Sequence, residues 1–292
     1  MAGKTKNVQY SPTATISEST TVMANLTGPA HRVERHIWMD GQVSLADDIV
    51  ATETPVALVY NGISHVVMMA SPSYLEDFAF GFSLTEGIVK TSSQILDVEE
   101  LHTDLGVELQ VTLAAEAFAG LKQRRRNLVG RTGCGLCGAE SLSQAITLPS
   151  PVTSDLRVPH SALQRAISEL SRHQELQRQT GAVHGAAWCD TQGEIMALRE
   201  DVGRHNALDK LIGLISRNAL GKEGFVLVTS RASYEMVAKV ASVNIGLLAA
   251  VSGPTSLAVT LAKQCGVTLV GFSRPNRHVI YCNKKRFVSE TL

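Results

Sequence analysis

Three short apolar runs, residues 225–229, 247–251 and 267–272, dictate what the second half of this chain can become. Each reads as a buried strand, and the stretches between them, 233–245 and 255–264, read as helices. Continuously apolar strands need cover on both faces, and strands joined through helices run parallel. The expectation is a largely parallel sheet between two layers of helix. Sheets of this kind bind ligands at the carboxyl ends of their strands. Three loops fall on that edge: Thr229-Ser230-Arg231, Ser252-Gly253-Pro254-Thr255 and Ser273-Arg274-Pro275-Asn276-Arg277.

The same half opens with a helix at 161–177. Gly181 then leads into a hairpin, 183–189 and 195–198, about Asp190-Thr191-Gln192-Gly193. A helix at 206–217 precedes the first apolar run, and 279–281 is a candidate last strand. The first half differs. Residues 36–39 and 42–45 flank Asp40-Gly41, and 55–60 and 64–69 flank Asn61-Gly62, both tight-turn signals. Ser73 is positioned to cap a helix at 74–86 that Gly87 ends, and 107–113 alternates as a half-buried strand. Pro149, Pro151 and Pro159 mark a boundary. The reading is a disordered tail over 1–32, a small α+β domain over 33–150 and an α/β domain over 151–292, α+β overall. A chain of 292 residues accommodates one large or two medium domains.

A net charge of zero argues against a general nucleic-acid or membrane-surface binder. The most apolar stretch, 237–262, contains Lys239, Asn244 and a Ser-Gly-Pro break, so it reads as buried helix and strand rather than a membrane span. The five cysteines are too sparse and too odd in number for a disulfide framework. With no apolar core for a secretory signal near the N-terminus, a reducing cytoplasm is expected.

Chemistry concentrates in Arg131-Thr132-Gly133-Cys134-Gly135-Leu136-Cys137-Gly138. Its glycines let the backbone bend sharply and approach a ligand closely. Arg124-Arg125-Arg126 lies upstream, and 139–146 reads as the start of a helix. Cations and a helix N-terminus both favour thiolate over thiol, and on this local ground Cys137 is the more activated sulfur. A structural zinc site would need further ligands. His278 and Cys282, on one strand, would stand roughly 13 Å apart at about 3.3 Å per residue, too far to share an ion. A thioredoxin-like pair would follow a strand in a βαβ unit, which this loop does not. A nucleophilic or sulfur-carrying thiol is the leading reading, beside the plain one of a tight loop with incidental thiols. Glu200-Asp201-Val202-Gly203-Arg204-His205-Asn206-Ala207-Leu208-Asp209-Lys210 is either a capped, solvated helix start or a phosphate and proton-transfer site. His184, in an apolar strand, reads as a core group, and Cys189, Cys265 and Cys282 read as structural. Arg274 and Arg277 flank Pro275-Asn276 and are either exposed turn residues or a phosphate clamp. The default for the arginine run is a solvated face.

Taken together, these stretches resemble the formate dehydrogenase accessory sulfurtransferases, the FdhD family, from about Glu53 to Arg277. The resemblance rests on Glu53-Thr54-Pro55-Val56-Ala57-Leu58, Gly81-Phe82-Ser83-Leu84-Thr85-Glu86-Gly87, the Cys-Gly-Leu-Cys-Gly loop, residues 200–210, Ser230-Arg231-Ala232-Ser233 and residues 271–277. It implies a sulfur relay. A cysteine desulfurase loads a persulfide on the loop, and the sulfur passes to the molybdenum cofactor in its bis-guanine-dinucleotide form, before insertion into formate dehydrogenase. It implies Cys134 as carrier with Cys137 as helper, against the local preference for Cys137. It further implies cofactor binding by Phe272, Ser273, Arg274, Pro275, Asn276 and Arg277, joined by Arg204 and His205. A homodimer and a cytidine deaminase-like three-layer second domain are also implied. Zinc deaminases carry His-x-Glu and Pro-Cys-x-x-Cys signatures. His184-Gly185-Ala186 lacks the Glu and Arg131-Thr132-Gly133 replaces the Pro context, so no zinc is expected. The competing expectation is a chaperone that delivers the cofactor without moving sulfur.

Overall fold

The structure is a computed structural model and describes residues 28–128, 148–218, 220 and 223–288, without the side chains of 125–128. Strands β1 (Ala30–Met39) and β2 (Gln42–Ala51) form a ten-residue-armed hairpin. Strands β3 (Thr54–Tyr60) and β4 (Ile63–Ala70) form a second. Both residues of each expected turn have positive φ, 51° and 83° at Asp40-Gly41 and 47° and 76° at Asn61-Gly62. That is the conformation in which Asn-Gly and Asp-Gly match the twist of paired strands. The first hairpin runs well beyond the expected 36–45. Its outer part lacks apolar alternation and carries cross-strand ion pairs instead, Arg32–Asp47 and Arg35–Asp48. Helix α1 (Leu75–Thr85), β5 (Ile95–Thr103), β6 (Gly106–Leu113) and α2 (Ala115–Leu128) complete the first unit. Its sheet has the order β4-β3-β6-β5, with β3 and β6 parallel. Ser73 does not cap α1. Tyr74 occupies the cap with φ 54° and no side-chain bond to the helix, its ring 3.9 Å beneath the Arg199 guanidinium.

The second unit contains β7 (Val158–Pro159), α3 (His160–His173), α4 (Glu175–Thr180), β8 (His184–Cys189), β9 (Ile195–Asp201) and α5 (Arg204–Asn218). Then follow β10 (Phe225–Val228), α6 (Tyr234–Ser242), β11 (Leu247–Ala250), α7 (Ser256–Cys265), β12 (Thr268–Arg274), β13 (Arg277–Cys282) and β14 (Phe287–Val288). Six strands lie in the order β13-β12-β11-β10-β8-β9. The sheet is mixed, not largely parallel. Only β10–β11 and β11–β12 are parallel, being the neighbouring pairs joined directly by a helix; the short turns after β8 and β12 force antiparallel pairing, and α5 carries the chain from β9 past β8 to β10, which therefore runs antiparallel to β8. Both faces are covered, as the apolar runs required. Val226, Leu248 and Trp188 pack with α5, α6 and α7, and their neighbours Phe225, Leu227 and Ala187 pack with α3. The expected helix at 161–177 is two. The Glu200 carboxylate accepts the N–H groups of Leu176 and Gln177 at 2.8 and 2.9 Å, which begins α4 afresh after Gln174.

The two units meet where α1 crosses α5. A Cβ on Gly81 would stand 1.7 Å from the carbonyl oxygen of Asp209, and one on Gly213 would stand 1.8 Å from that of Asp77. Buried charges ring this crossing. Asp77 accepts from Arg199 at 2.8 and 2.9 Å and from Arg217 at 2.7 Å. Lys210 reaches Asp201 at 2.6 Å, and Lys239 reaches Asp209 at 2.9 Å and Glu86 at 3.0 Å. One apolar cluster runs through the crossing, from Leu58 and Leu109 by way of Phe78 and Leu211 to Val226. Overpacking a close contact of this kind costs about 1–3 kcal/mol or more. Gly81→Ala and Gly213→Ala are each expected to lower the unfolding free energy by at least that much, read as a lower urea midpoint, and the double variant to lose cooperative unfolding, both followed by circular dichroism.

Candidate functional site

Thr229, Val251 and Ser273 lie at or beyond the carboxyl ends of β10, β11 and β12, where they line one side of a cleft of about 600 Å³. Arg274 and Pro275 extend that side. Ile167, Leu170, Ser171, Gln174 and Gln177 come from α3 and α4, and Gly181 to His184 close the remaining edge. The walls are held from behind. Gly185 and Thr229 exchange bonds, the Gly185 N–H to the Thr229 hydroxyl at 2.9 Å and the Thr229 N–H to the Gly185 carbonyl at 3.0 Å.

The loop after β12 is shaped before any ligand arrives. Phe272 has φ 50°, a costly conformation for an aromatic residue, and its ring lies against Gly253, where a Cβ would meet it at 2.9 Å. Asn276 also has positive φ, 62°, in a two-residue turn that sets Arg274 directly opposite Arg277. Like charges facing across a strand pair repel. Among the described residues neither arginine is paired with a carboxylate. Arg274 donates to the carbonyls of Val251 and Ser273 instead. Ser273 is 1% exposed, and its hydroxyl oxygen has no hydrogen-bond partner among the described residues. An anion at this turn would relieve the repulsion, and a polar group in the cleft would satisfy the serine.

Arg204 and His205 stand at the start of α5 and do not line the cleft. Burial, then the Arg204 guanidinium, lower the pKa of His184, which does line it, so the two places adjoin. Burial also pushes His205 down to about 4, helped by Arg204 and Lys239 against Glu235 and Glu86. Its Nε2 stands 3.7 Å from the Glu235 carboxylate, too far for a hydrogen bond. Burial alone would raise Glu235, but the Ser233 hydroxyl at 2.7 Å, with its own backbone N–H, the His205 ring and the Arg204 guanidinium, holds it below the usual range. His205 is therefore neutral at pH 7 and accepts or donates a single bond rather than clamping phosphate by charge. Lys239 is buried, yet Asp209 and Glu86 more than offset that and keep it protonated.

Of the residues singled out from sequence, Ser273, Arg274 and Pro275 share the cleft, whereas Phe272, Asn276 and Arg277 shape or flank the turn beside it. Cys134 and Cys137 lie outside the described residues. Arg124 is not a free surface charge. It ties α2 to the end of α1 through the carbonyls of Glu86 and Gly87 at 3.4 and 2.6 Å. His184, read as a core group, is a cleft residue. Gln174 and Gln177 carried no motif, and the one signal for them was Gly181 after the helical stretch, whereas Thr229 opens one of the three loops expected at the strand edge.

A family model described as the FdhD/NarQ family matches residues 51–288. The chain belongs to the FdhD/NarQ family. It is 54% identical over 254 residues to the sulfur carrier protein FdhD of Cupriavidus necator, covering 87% of this chain and 88% of the relative. It is 50% identical over 256 residues to that of Xanthomonas euvesicatoria, covering 87% and 90%. A crystal structure from Desulfotalea psychrophila, described as a formate dehydrogenase accessory protein, superposes with a TM-score of 0.70 at 27% identity, over 89% of this chain and 99% of that one. Among the described residues of this FdhD/NarQ member, no helix is long and apolar enough to cross a membrane.

The histidines give a pH test. His184, His205 and His278 all have folded pKa values below 6.5, chiefly through burial. As pH falls below 6.5 the unfolded chain binds protons that the folded chain refuses, so stability is lost with acid. Urea midpoints are expected to fall steadily from pH 6.5 to about 4, with a shallower fall in His205→Gln.

Proposed function

We propose that this protein carries sulfur to a molybdenum cofactor destined for formate dehydrogenase. The observation that carries the reading is the facing pair Arg274 and Arg277 beside a cleft with an unbonded, buried Ser273 hydroxyl. It stands in a chain half identical to proteins named sulfur carriers. The pair suits phosphates of a dinucleotide cargo, which charge-assisted and bidentate bonds hold in place. Ser273 and Pro275 fit the part of the cargo that enters the cleft. The six-stranded unit that carries them is read as the cytidine deaminase-like one, and a second copy of the chain as its dimer partner.

In this scheme the Cys134 thiolate attacks the outer sulfur of a cysteine desulfurase's persulfide. A new S–S bond forms on Cys134, the old one breaks, and the desulfurase cysteine leaves as thiolate. When the sulfur moves on, the electron pair of the S–S bond stays with Cys134. The sulfur departs as a neutral atom, and the molybdenum centre supplies the two electrons that make it sulfide. Cys137 is read as the helper of the carrier. The setting is the cytoplasm, where thiols stay reduced.

Intact-mass spectrometry after incubation with a cysteine desulfurase and cysteine tests the carrier. A gain of one sulfur, about 32 Da for a persulfide on a reactive thiolate, is expected in wild type and Cys137→Ala and absent in Cys134→Ala. Cys134→Ala is likewise expected to abolish activation of formate dehydrogenase. Full activation by that variant would leave cofactor delivery without sulfur movement as the function.

A further inference from the structure

Three rings meet where the short strand β14 closes on the second unit. His160, the first residue of α3, and His278, on β13, face each other through ring nitrogens, Nδ1 to Nε2 at 2.9 Å. Their planes differ by 18° and their centroids stand 5.0 Å apart, so the rings lie end to end rather than one over the other. Phe287 of β14 stacks on both, with centroids at 4.5 Å from His160 and 5.4 Å from His278. The second nitrogen of His278, Nδ1, stands 2.8 Å from the side-chain nitrogen of Gln164, one turn along α3.

This arrangement counts hydrogens. An amide nitrogen only donates, so His278 Nδ1 accepts from Gln164, and the His278 hydrogen sits on Nε2 and is donated to His160 Nδ1. The two facing nitrogens share one hydrogen. A first added proton goes to His278 Nδ1. Once the Gln164 amide turns over, that N–H meets the Gln164 side-chain oxygen, which is buried and has no partner among the described residues. The bond between the rings survives, and the Phe287 face takes the charge. A second proton places hydrogens on both facing nitrogens. The bond is then lost and two cations abut.

The surroundings do not relieve that repulsion. Among the described residues neither ring has a carboxylate within ion-pair distance. Arg277 precedes His278 and faces Arg274 across the turn, Lys284, Lys285 and Arg286 precede Phe287, and Arg157 stands before α3 with Asp155 as a counter-charge. Arg165, further along α3, is engaged with Glu194 at 3.8 Å. Burial, then the neighbouring His160, lower the pKa of His278. What the rings hold is lightly built. Strand β14 has two residues, and its one strand partner among the described residues is β7, which ends at Pro159, directly before His160.

We propose that His160 and His278 form an acid-released latch, which clamps β14 and the first turn of α3 to β13 while one hydrogen is shared and opens when both rings are charged. Opening frees β14 and loosens β13 at the Arg277 end, so the turn that carries Arg274 and Arg277 is held from outside the cleft. The latch stands independently of the sulfur relay.

Nitrogen-15 NMR of the full-length protein tests it. Near neutral pH a coupling between the two facing ring nitrogens is expected, because one hydrogen bridges them. The pair is expected to take up its protons in two steps separated by roughly one pH unit or more, with the coupling lost at the second. Amide exchange over residues 277–288, corrected for its intrinsic pH dependence, is expected to rise about tenfold per pH unit below that step, the slope one bound proton gives, while β10 amides stay protected. His160→Gln keeps a hydrogen-bonding side chain and takes no proton, so the acid opening is expected to vanish in it. Absence of the coupling at neutral pH, or an acid opening unchanged in His160→Gln, would overturn the latch. Should that variant fail to fold, wild type decides alone: a coupling that persists below the pH at which residues 277–288 open would overturn it equally.

Discussion

Asp77 is the residue on which the two halves of this molecule depend. It lies on α1, buried, and receives both Arg199 from β9 and Arg217 from α5. A lone carboxylate there would be strongly unfavourable, and removing one member of a buried ion network usually costs more than the network gains over apolar packing. The network sits around a helix crossing so close that Gly81 and Gly213 leave no room for a methyl group. Tight backbone approach and enclosed charge act together. The glycines bring the helices into contact, and the ions fix which faces meet. The four-stranded and six-stranded sheets consequently share one apolar core.

That rigidity is what the cleft requires. Its walls come from strands β10 to β12 on one side and from α3 and α4 on the other, and the buried Ser273 hydroxyl has no partner among the described residues. Holding unsatisfied groups in place requires a frame that does not relax around them. Strained Phe272 and the paired Arg274 and Arg277 belong to the same pattern of cost stored at a ligand edge.

Much of the architecture was legible in the sequence, for identifiable reasons. The apolar runs at β10, β11 and β12 announced buried strands, and the Asp40-Gly41 and Asn61-Gly62 turns announced hairpins. The strand-edge rule located Ser273, Arg274 and Pro275 on the cleft. Strand β5 stayed hidden because Asp97, Glu99, Glu100 and His102 mask any apolar pattern at a sheet edge. Helix α2 stayed hidden because its second half is dominated by arginine, and Arg124 makes tertiary bonds that no local rule anticipates. Parallel pairing was overextended because strand polarity follows connection length, which apolar content does not report. His184 was missed for a related reason. A lone polar residue in an apolar stretch looks the same whether it faces a core or a cavity.

Glu200 and Asp201 are consecutive residues of β9, and strand geometry sends their side chains to opposite faces. Glu200 founds α4 and with it a wall of the cleft. Asp201 holds Lys210, Asn206 and the Ser71 N–H at the junction of the two sheets. Two neighbouring peptide units thus act as an axle. A rotation of β9 that widened the cleft would drag on the junction, and a load applied at the junction would be felt at the cargo.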